Sequence, residues 1–202
     1  MASTARLLLI LFTFFGCTAS MADIAAIAAD CDGCHGADGV SEWSDMPTIA
    51  GISEFVLSDA MFYYRDGERS CVESEYRQGD TSRPATDMCK VAQALSEDDI
   101  DAISAHYAEL PFKPAVQEFD TALAATGKAL HDQDCENCHA DSGRDPEEDA
   151  SILAGQRMGY MRTQFADYLA GNRSQPEKME AKMKGLSEED TEALLNFYAS
   201  LQ

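Results

Sequence analysis

Two five-residue segments carry the chemistry of this chain: Cys31-Asp32-Gly33-Cys34-His35 and Cys135-Glu136-Asn137-Cys138-His139. Both read Cys-x-x-Cys-His. Two thiols at this spacing can add to the two vinyl groups of one haem, and the adjacent imidazole can then reach the iron from the face below. A single copy also fits a dithiol redox motif or half of a zinc site. Two copies in matching surroundings point to two covalently bound haem c groups. Cys31, Cys34, Cys135 and Cys138 attach them, and His35 and His139 are the proximal iron ligands. Neither copy stands in the strand-helix-strand setting of a dithiol oxidoreductase.

The sixth ligand comes from the repeat. At an offset of 104 residues the two motifs superpose, and so do Ile49-Ala50-Gly51 with Leu153-Ala154-Gly155, Tyr64 with Tyr168, and Gly67 with Gly171. Further on the offset drops to 91. Met88 then meets Met179, Leu95-Ser96-Glu97 meets Leu186-Ser187-Glu188, and Tyr107-Ala108 meets Tyr198-Ala199. Met88 and Met179 are therefore the candidate distal ligands. A thioether is soft and neutral, favours Fe(II) and raises the potential, which suits an electron carrier. A core methionine is the plain alternative. Met183 competes with Met179 but has no counterpart in the first half.

The remaining histidines fit the distal role poorly. His131 lies four residues before Cys135, on the proximal side of its own motif. His106 lies in the closing helix of the first half and reads as a packing or surface residue. Tyr64, Tyr168, Tyr107, Tyr198 and Trp43 could pack on haem or bond a propionate, and ordinary aromatic core serves as well. No Ser-His-Asp pattern and no phosphate loop appears, so no catalytic residue is assigned. With two His/Met irons the chemistry reduces to outer-sphere electron transfer.

These residues need helices to hold them. Ser96-Glu97-Asp98-Asp99 and Ser187-Glu188-Glu189-Asp190 read as capping boxes. Behind them apolar residues recur at helical spacing: Ile100, Ile103, Tyr107 and Leu110, then Leu194, Leu195, Tyr198 and Leu201. Helices are also expected around Val56–Arg65 and Met158–Ala170, and others starting near Ile24 and Asp120 carry the motifs. No strand pattern is convincing, so the chain reads as all-α. The expected first domain is 23–110, the linker 111–118 and the second domain 119–202. Pro111 and Pro114 end a helix and favour an extended connection.

The first half is 13 residues longer between Gly67 and Met88. That insertion holds Cys71, and Cys89 follows Met88. A Cys71–Cys89 disulfide would tie the base of the insertion beside the candidate ligand, although two free thiols remain the alternative.

Arg6 and the apolar run Leu7–Phe15 read as an export signal, 1–22, with cleavage before Asp23. The run is too short to span a bilayer, so no transmembrane span is expected after its removal. A lipoprotein site at Cys17 is the rival. Export places the protein in the periplasm, where oxidising conditions suit a disulfide. The formal charge is −21. It argues against nucleic acid as a partner and favours a basic partner surface through salt-sensitive attraction.

The motif order resembles the dihaem cytochrome c4-like class, which implies two tandem cytochrome c-like mono-haem domains related by a pseudo-twofold axis. The stretch from Phe112 to Leu123, then Thr126-Gly127, Leu130-His131-Asp132, the second motif, Ile152–Gln156 and Pro176-Glu177-Lys178-Met179 is similar to the cytochrome subunit of flavocytochrome c sulfide dehydrogenase. That resemblance implies a heterodimer with an FAD-containing flavoprotein, the FAD lying on the partner subunit only. Electrons would pass singly from the FAD through both haems to a soluble cytochrome c. The alternative is a free cytochrome c4-type shuttle to a terminal oxidase; a dihaem enzyme such as a peroxidase or thiosulfate dehydrogenase would need an open axial site. The Cys71-bearing insertion departs from the flavocytochrome pattern.

Overall fold

The computed structural model describes residues 21–145 and 150–202. Most of the expected leader, including Cys17, lies outside the described residues. The first half contains α1 (Met21–His35), a 3-10 turn (Ala37–Gly39), α2 (Glu54–Arg65), α3 (Met88–Ala94) and α4 (Glu97–Ala108). The second contains α5 (Thr121–Asp134), the turn-length α6 (Ala140–Gly143), α7 (Met158–Ala170), α8 (Glu177–Met183) and α9 (Glu188–Ser200). Among the described residues the only β pairings are two isolated bridges.

Both capping boxes form. Ser96 accepts from the Asp99 amide while the Asp99 carboxylate accepts from the Ser96 amide, and Ser187 and Asp190 do the same for α9. Asp87 and Asp120 cap α3 and α5 by accepting first-turn amides. The α5 cap starts the helix that leads into the second motif, α4 and α9 pack on the motif helices, and the α3 cap sets the start of the helix that opens on Met88.

Several backbone bonds repeat between the two halves. The Gly39 carbonyl accepts from the Ile49 and Ala50 amides, and the Gly143 carbonyl accepts from Leu153 and Ala154. The Gly51 amide donates to the Tyr107 carbonyl and the Gly155 amide to that of Tyr198, both at 2.8 Å. Gly51 and Gly155 hold φ of 72° and 71°, which favours glycine. A Cβ at either would strike the linker: Phe112 crosses Gly51 and Pro114 crosses Gly155. The linker is extended, and Ala115 is buried with its amide on the Gly155 carbonyl.

The second half has the larger core, with Met161, Phe165, Met183, Leu194, Leu195, Phe197 and Tyr198 clustered between α7, α8 and α9. Among the described residues of the first half the buried cluster is smaller, Ala28, Ile103 and Tyr107, with partly buried residues such as Ile49, Leu57 and Leu110 packed against it. Between the halves, the buried Gln156 side chain accepts from the Thr48 amide at 2.9 Å and donates to the Thr48 carbonyl at 2.8 Å. Tyr160 donates its amide to the Ser44 carbonyl, and the Arg157 guanidinium bonds the Ser41 carbonyl. Thus a half with little core of its own is joined to its neighbour by buried polar bonds.

Residues 68–87, between α2 and α3, form a strap rather than a helix. Ser74 and Thr86 pair across its base. Cys71 and Cys89 are disulfide-bonded with Cα atoms 5.9 Å apart. The apex turns back over the C-terminal end of α1.

Candidate functional site

The first motif completes α1. Cys31 is half-buried, and desolvation, with the charge of Asp32, pushes the thiol up to about 12. Cys34 is also raised, chiefly by burial, and so is Cys135. A dithiol oxidoreductase needs the opposite, a thiol poised as thiolate near neutral pH. The four motif cysteines are not disulfide-bonded. The raised thiols of Cys31, Cys34 and Cys135 therefore disfavour dithiol redox exchange.

His35 is buried, and its Nδ1 lies 3.1 Å from the Pro47 carbonyl. A carbonyl can only accept, so Nδ1 carries the proton and Nε2 keeps its lone pair, the tautomer a metal requires. Burial lowers the imidazole pKa and holds the ring neutral. His139 is half-buried, and burial again lowers its pKa. Its Nδ1 is enclosed without a hydrogen bond among the described residues, although the Ser151 carbonyl, which falls on Pro47 at the repeat offset, biases the ring from nearby.

The second motif departs from expectation. α5 ends at Asp134, so Cys135–His139 lies in turns rather than within a helix. The reason is tertiary. His131 is fully buried, and its Nε2 bonds the Glu136 carboxylate at 2.7 Å while Nδ1 meets the Tyr198 hydroxyl at 2.9 Å. Glu136 also accepts the Ser142 amide, and these bonds hold its partly exposed side chain against the end of α5 and its carboxyl below the usual range. In the first half the matching Tyr107 hydroxyl reaches the Asp32 carboxylate directly at 2.8 Å, and Ile27 stands where the second half has His131. Tyr107 and Tyr198 therefore brace the motifs from behind. His106 packs edge-on against Tyr107.

Met88 opens α3 and Met179 lies in the first turn of α8; both are half-buried. Met183 is 5% exposed and belongs to the core cluster of the second half. Met179 packs against the rim of that cluster while remaining half-buried, whereas Met183 lies inside it.

Sequence reasoning missed a pair of arginines. Arg69 and Arg173 fall on each other at the same 104 offset and form an antiparallel bridge between the halves. Arg69 is 6% exposed, and its Nη2 donates to the Tyr160 hydroxyl and to Gln164. Arg173 also donates to Gln164. Each guanidinium lies over a matching tyrosine, Arg69 on Tyr64 at 4.4 Å and Arg173 on Tyr168 at 4.3 Å. Burial opposes ionisation of Tyr160, yet the two arginines outweigh it and pull its pKa down. Among the described residues no carboxylate forms an ion pair with either arginine, and the buried Arg69 Nε has no partner. Buried cations need an anion. Haem brings two propionates, so this seam fits it. The signal available in the sequence was the arginine two residues after each matched glycine.

No sequence family matches this chain, and no curated protein does. Solved structures do. The chain is similar to reduced recombinant cytochrome c4 from Pseudomonas stutzeri at 26% identity and a TM-score of 0.72, covering 92% of this chain and 100% of that one. Its fold is similar to cytochrome c4 from Acidithiobacillus ferrooxidans, at 24% identity, a TM-score of 0.69, and coverage of 86% and 99%. Thiosulfate dehydrogenase from Marichromatium purpuratum is similar at 26% identity and a TM-score of 0.66; there the match covers 84% of this chain and 36% of that one. The architecture is thus cytochrome c4-like: all-α, with two tandem cytochrome c-like halves about a pseudo-twofold axis. Among the described residues no helix is long and apolar enough to cross a membrane.

Proposed function

We propose that this chain is a periplasmic dihaem c-type electron carrier with mono-haem domains at 23–110 and 119–202 joined by 111–118. The observation that carries the reading is the duplicated motif, each copy braced by its own tyrosine and followed by a repeat-matched methionine. Haem supplies reversible one-electron exchange when bound. Cys31 and Cys34, and Cys135 and Cys138, would form the thioethers. His35 and His139 would ligate through Nε2, and Met88 and Met179 from the opposite face. Arg69 and Arg173 would neutralise propionates along the seam.

Two readings of its partner remain. The stretch from Phe112 to Leu123 and the context of the second motif favour the electron-transfer subunit of a sulfide dehydrogenase. In that reading the chain takes electrons from FAD on a flavoprotein subunit and delivers them to a soluble cytochrome c. The full-length likeness to cytochrome c4 favours a free shuttle to a terminal oxidase. Purification from a membrane-free native extract separates them. Flavin absorbance and a second subunit travelling with two haems per chain support the sulfide dehydrogenase. A flavin-free protein at physiological concentration supports the shuttle. Haem below two per chain defeats both.

A further inference from the structure

The two attachment motifs are chemically alike and sterically opposite. Over the first, the strap is bonded directly to motif backbone. The Arg77 and Gln78 amides both donate to the Gly33 carbonyl, at 2.8 and 3.1 Å, and the Gln78 side chain donates to the Asp32 carbonyl at 2.7 Å. Tyr76 lies so close on Gly33 that a Cβ there would come within 2.7 Å of the ring. The Cys34 sulfur approaches the Glu75 carbonyl. Two guanidiniums pin the apex to the surroundings. Arg77 grips Asp45 with two bonds of 2.6 and 2.7 Å, and Arg83 reaches Asp30 at 2.6 Å while lying over the Tyr76 ring. Over the second motif no such cover exists among the described residues: Asn137 and Cys138 are exposed. The insertion that lengthens the first half is what makes this difference.

Electron transfer between proteins requires close approach of the redox groups, and a cytochrome presents its group where the attached edge reaches the surface. We infer that the strap closes the first motif to protein partners, and that a basic, lysine-rich redox protein docks over the second motif around Cys138. This rests on the proposed function, since it concerns the edge of an attached haem. The strap decides where the partner docks. The charge of −21 decides what kind of partner it is. At the first motif the strap guanidiniums already hold Asp30 and Asp45. At the second, Asp141 is exposed and forms no ion pair among the described residues; the Asp132 partner, Lys128, is itself exposed. Such surface pairs yield readily to an incoming lysine.

Carbodiimide coupling of the holoprotein to a mitochondrial-type cytochrome c, a lysine-rich probe, tests this. The reagent joins carboxylates here to lysines there at zero length, and peptide mapping locates the bonds. Cross-links should concentrate on Asp132, Glu136 and Asp141, and should disappear at high salt. The double substitution Asp132→Asn and Asp141→Asn should weaken binding roughly two- to fivefold for each charge removed. Opening the strap with Cys71→Ser and Cys89→Ser should add cross-links at Asp30; should that variant fail to fold, the wild-type map decides. Cross-links centred on Asp30, Asp45, Glu73 or Glu75 in the wild type overturn the inference, as does absence of binding at low salt. Haem content is measured on the same sample. Two haems with the wrong map defeat the docking inference alone, whereas a deficit of haem defeats the functional reading.

Discussion

At the scale of single residues, the methionines divide by what packs them. Met179 is half-buried at the start of α8, and Met183, four residues on, is in the core. Met88→Ala and Met179→Ala should each abolish the thioether-to-iron absorption band of one haem, and Met183→Ala should leave both bands. Met183→Ala should instead lower stability by about 2–5 kcal/mol in thermal or denaturant unfolding, the usual cost of emptying a buried methionine site. Loss of a band with Met183→Ala and its survival with Met179→Ala would reverse the assignment. The buried His131 permits a second residue-scale prediction. His131→Ala leaves the buried Tyr198 hydroxyl without this partner, so unfolding should shift by about 1–3 kcal/mol. His106→Ala, which removes only an edge-on ring contact, should cost less in the same assay. His131 was visible in the sequence as a histidine unable to reach the distal face. Its bracing role was not, because that depends on Tyr198, 67 residues away.

At the scale of elements, what was legible was local. The capping boxes and the period of apolar residues behind them are written within a few positions, and α4 and α9 follow from them. The strap was legible only as an excess of 13 residues with a cysteine in it. Its course depends on Arg77 finding Asp45 and Arg83 finding Asp30, partners 32 and 53 residues away. The turn at the second motif has a related origin: Glu136 bonds His131, whose ring is held by Tyr198, 67 residues away. Breaking the strap's base with Cys71→Ser should lower stability by about 3 kcal/mol, the value expected for closing a loop of this length, and reductant should do the same to the wild type. Acid should loosen its apex. The hydrogen bonds from Arg77 hold the Asp45 carboxyl below the ordinary carboxylate range. The folded value is thus the lower one, so the contribution is complete above the unfolded pKa of about 3.9 and is lost as pH falls through the folded value. Pepsin digestion across that window should find the strap protected near pH 4 and increasingly cut below it. An Asp45→Asn protein should be cut at every acidic pH, and equal protection of the two would sink the assignment.

At the scale of the whole molecule, the duplication was legible because the halves superpose at an offset of 104 and then of 91, and the bonds of Gly39 and Gly143, or of Gly51 and Gly155, repeat it in three dimensions; the pseudo-twofold axis was implied only by the cytochrome c4-like resemblance. The seam was not legible, since Arg69 and Arg173 read in sequence as two more surface charges. A seam built of buried polar groups couples the halves only while every group is satisfied. Gln156 is the test of this, because its amide alone serves both backbone groups of Thr48 from across the interface. Gln156→Leu keeps similar bulk but leaves a buried N–H and a buried C=O without partners, and water must enter to satisfy them. The first half, with its three-residue buried cluster, has little core to rely on once the seam is wetted. Calorimetry of the wild-type holoprotein should therefore show one cooperative transition. The Gln156→Leu protein should show two, the lower one belonging to the first half and reported by loss of the Met88 thioether band before that of Met179. A single transition in the variant, shifted but with both bands lost together, would mean that the linker and the arginine pair couple the halves without Gln156.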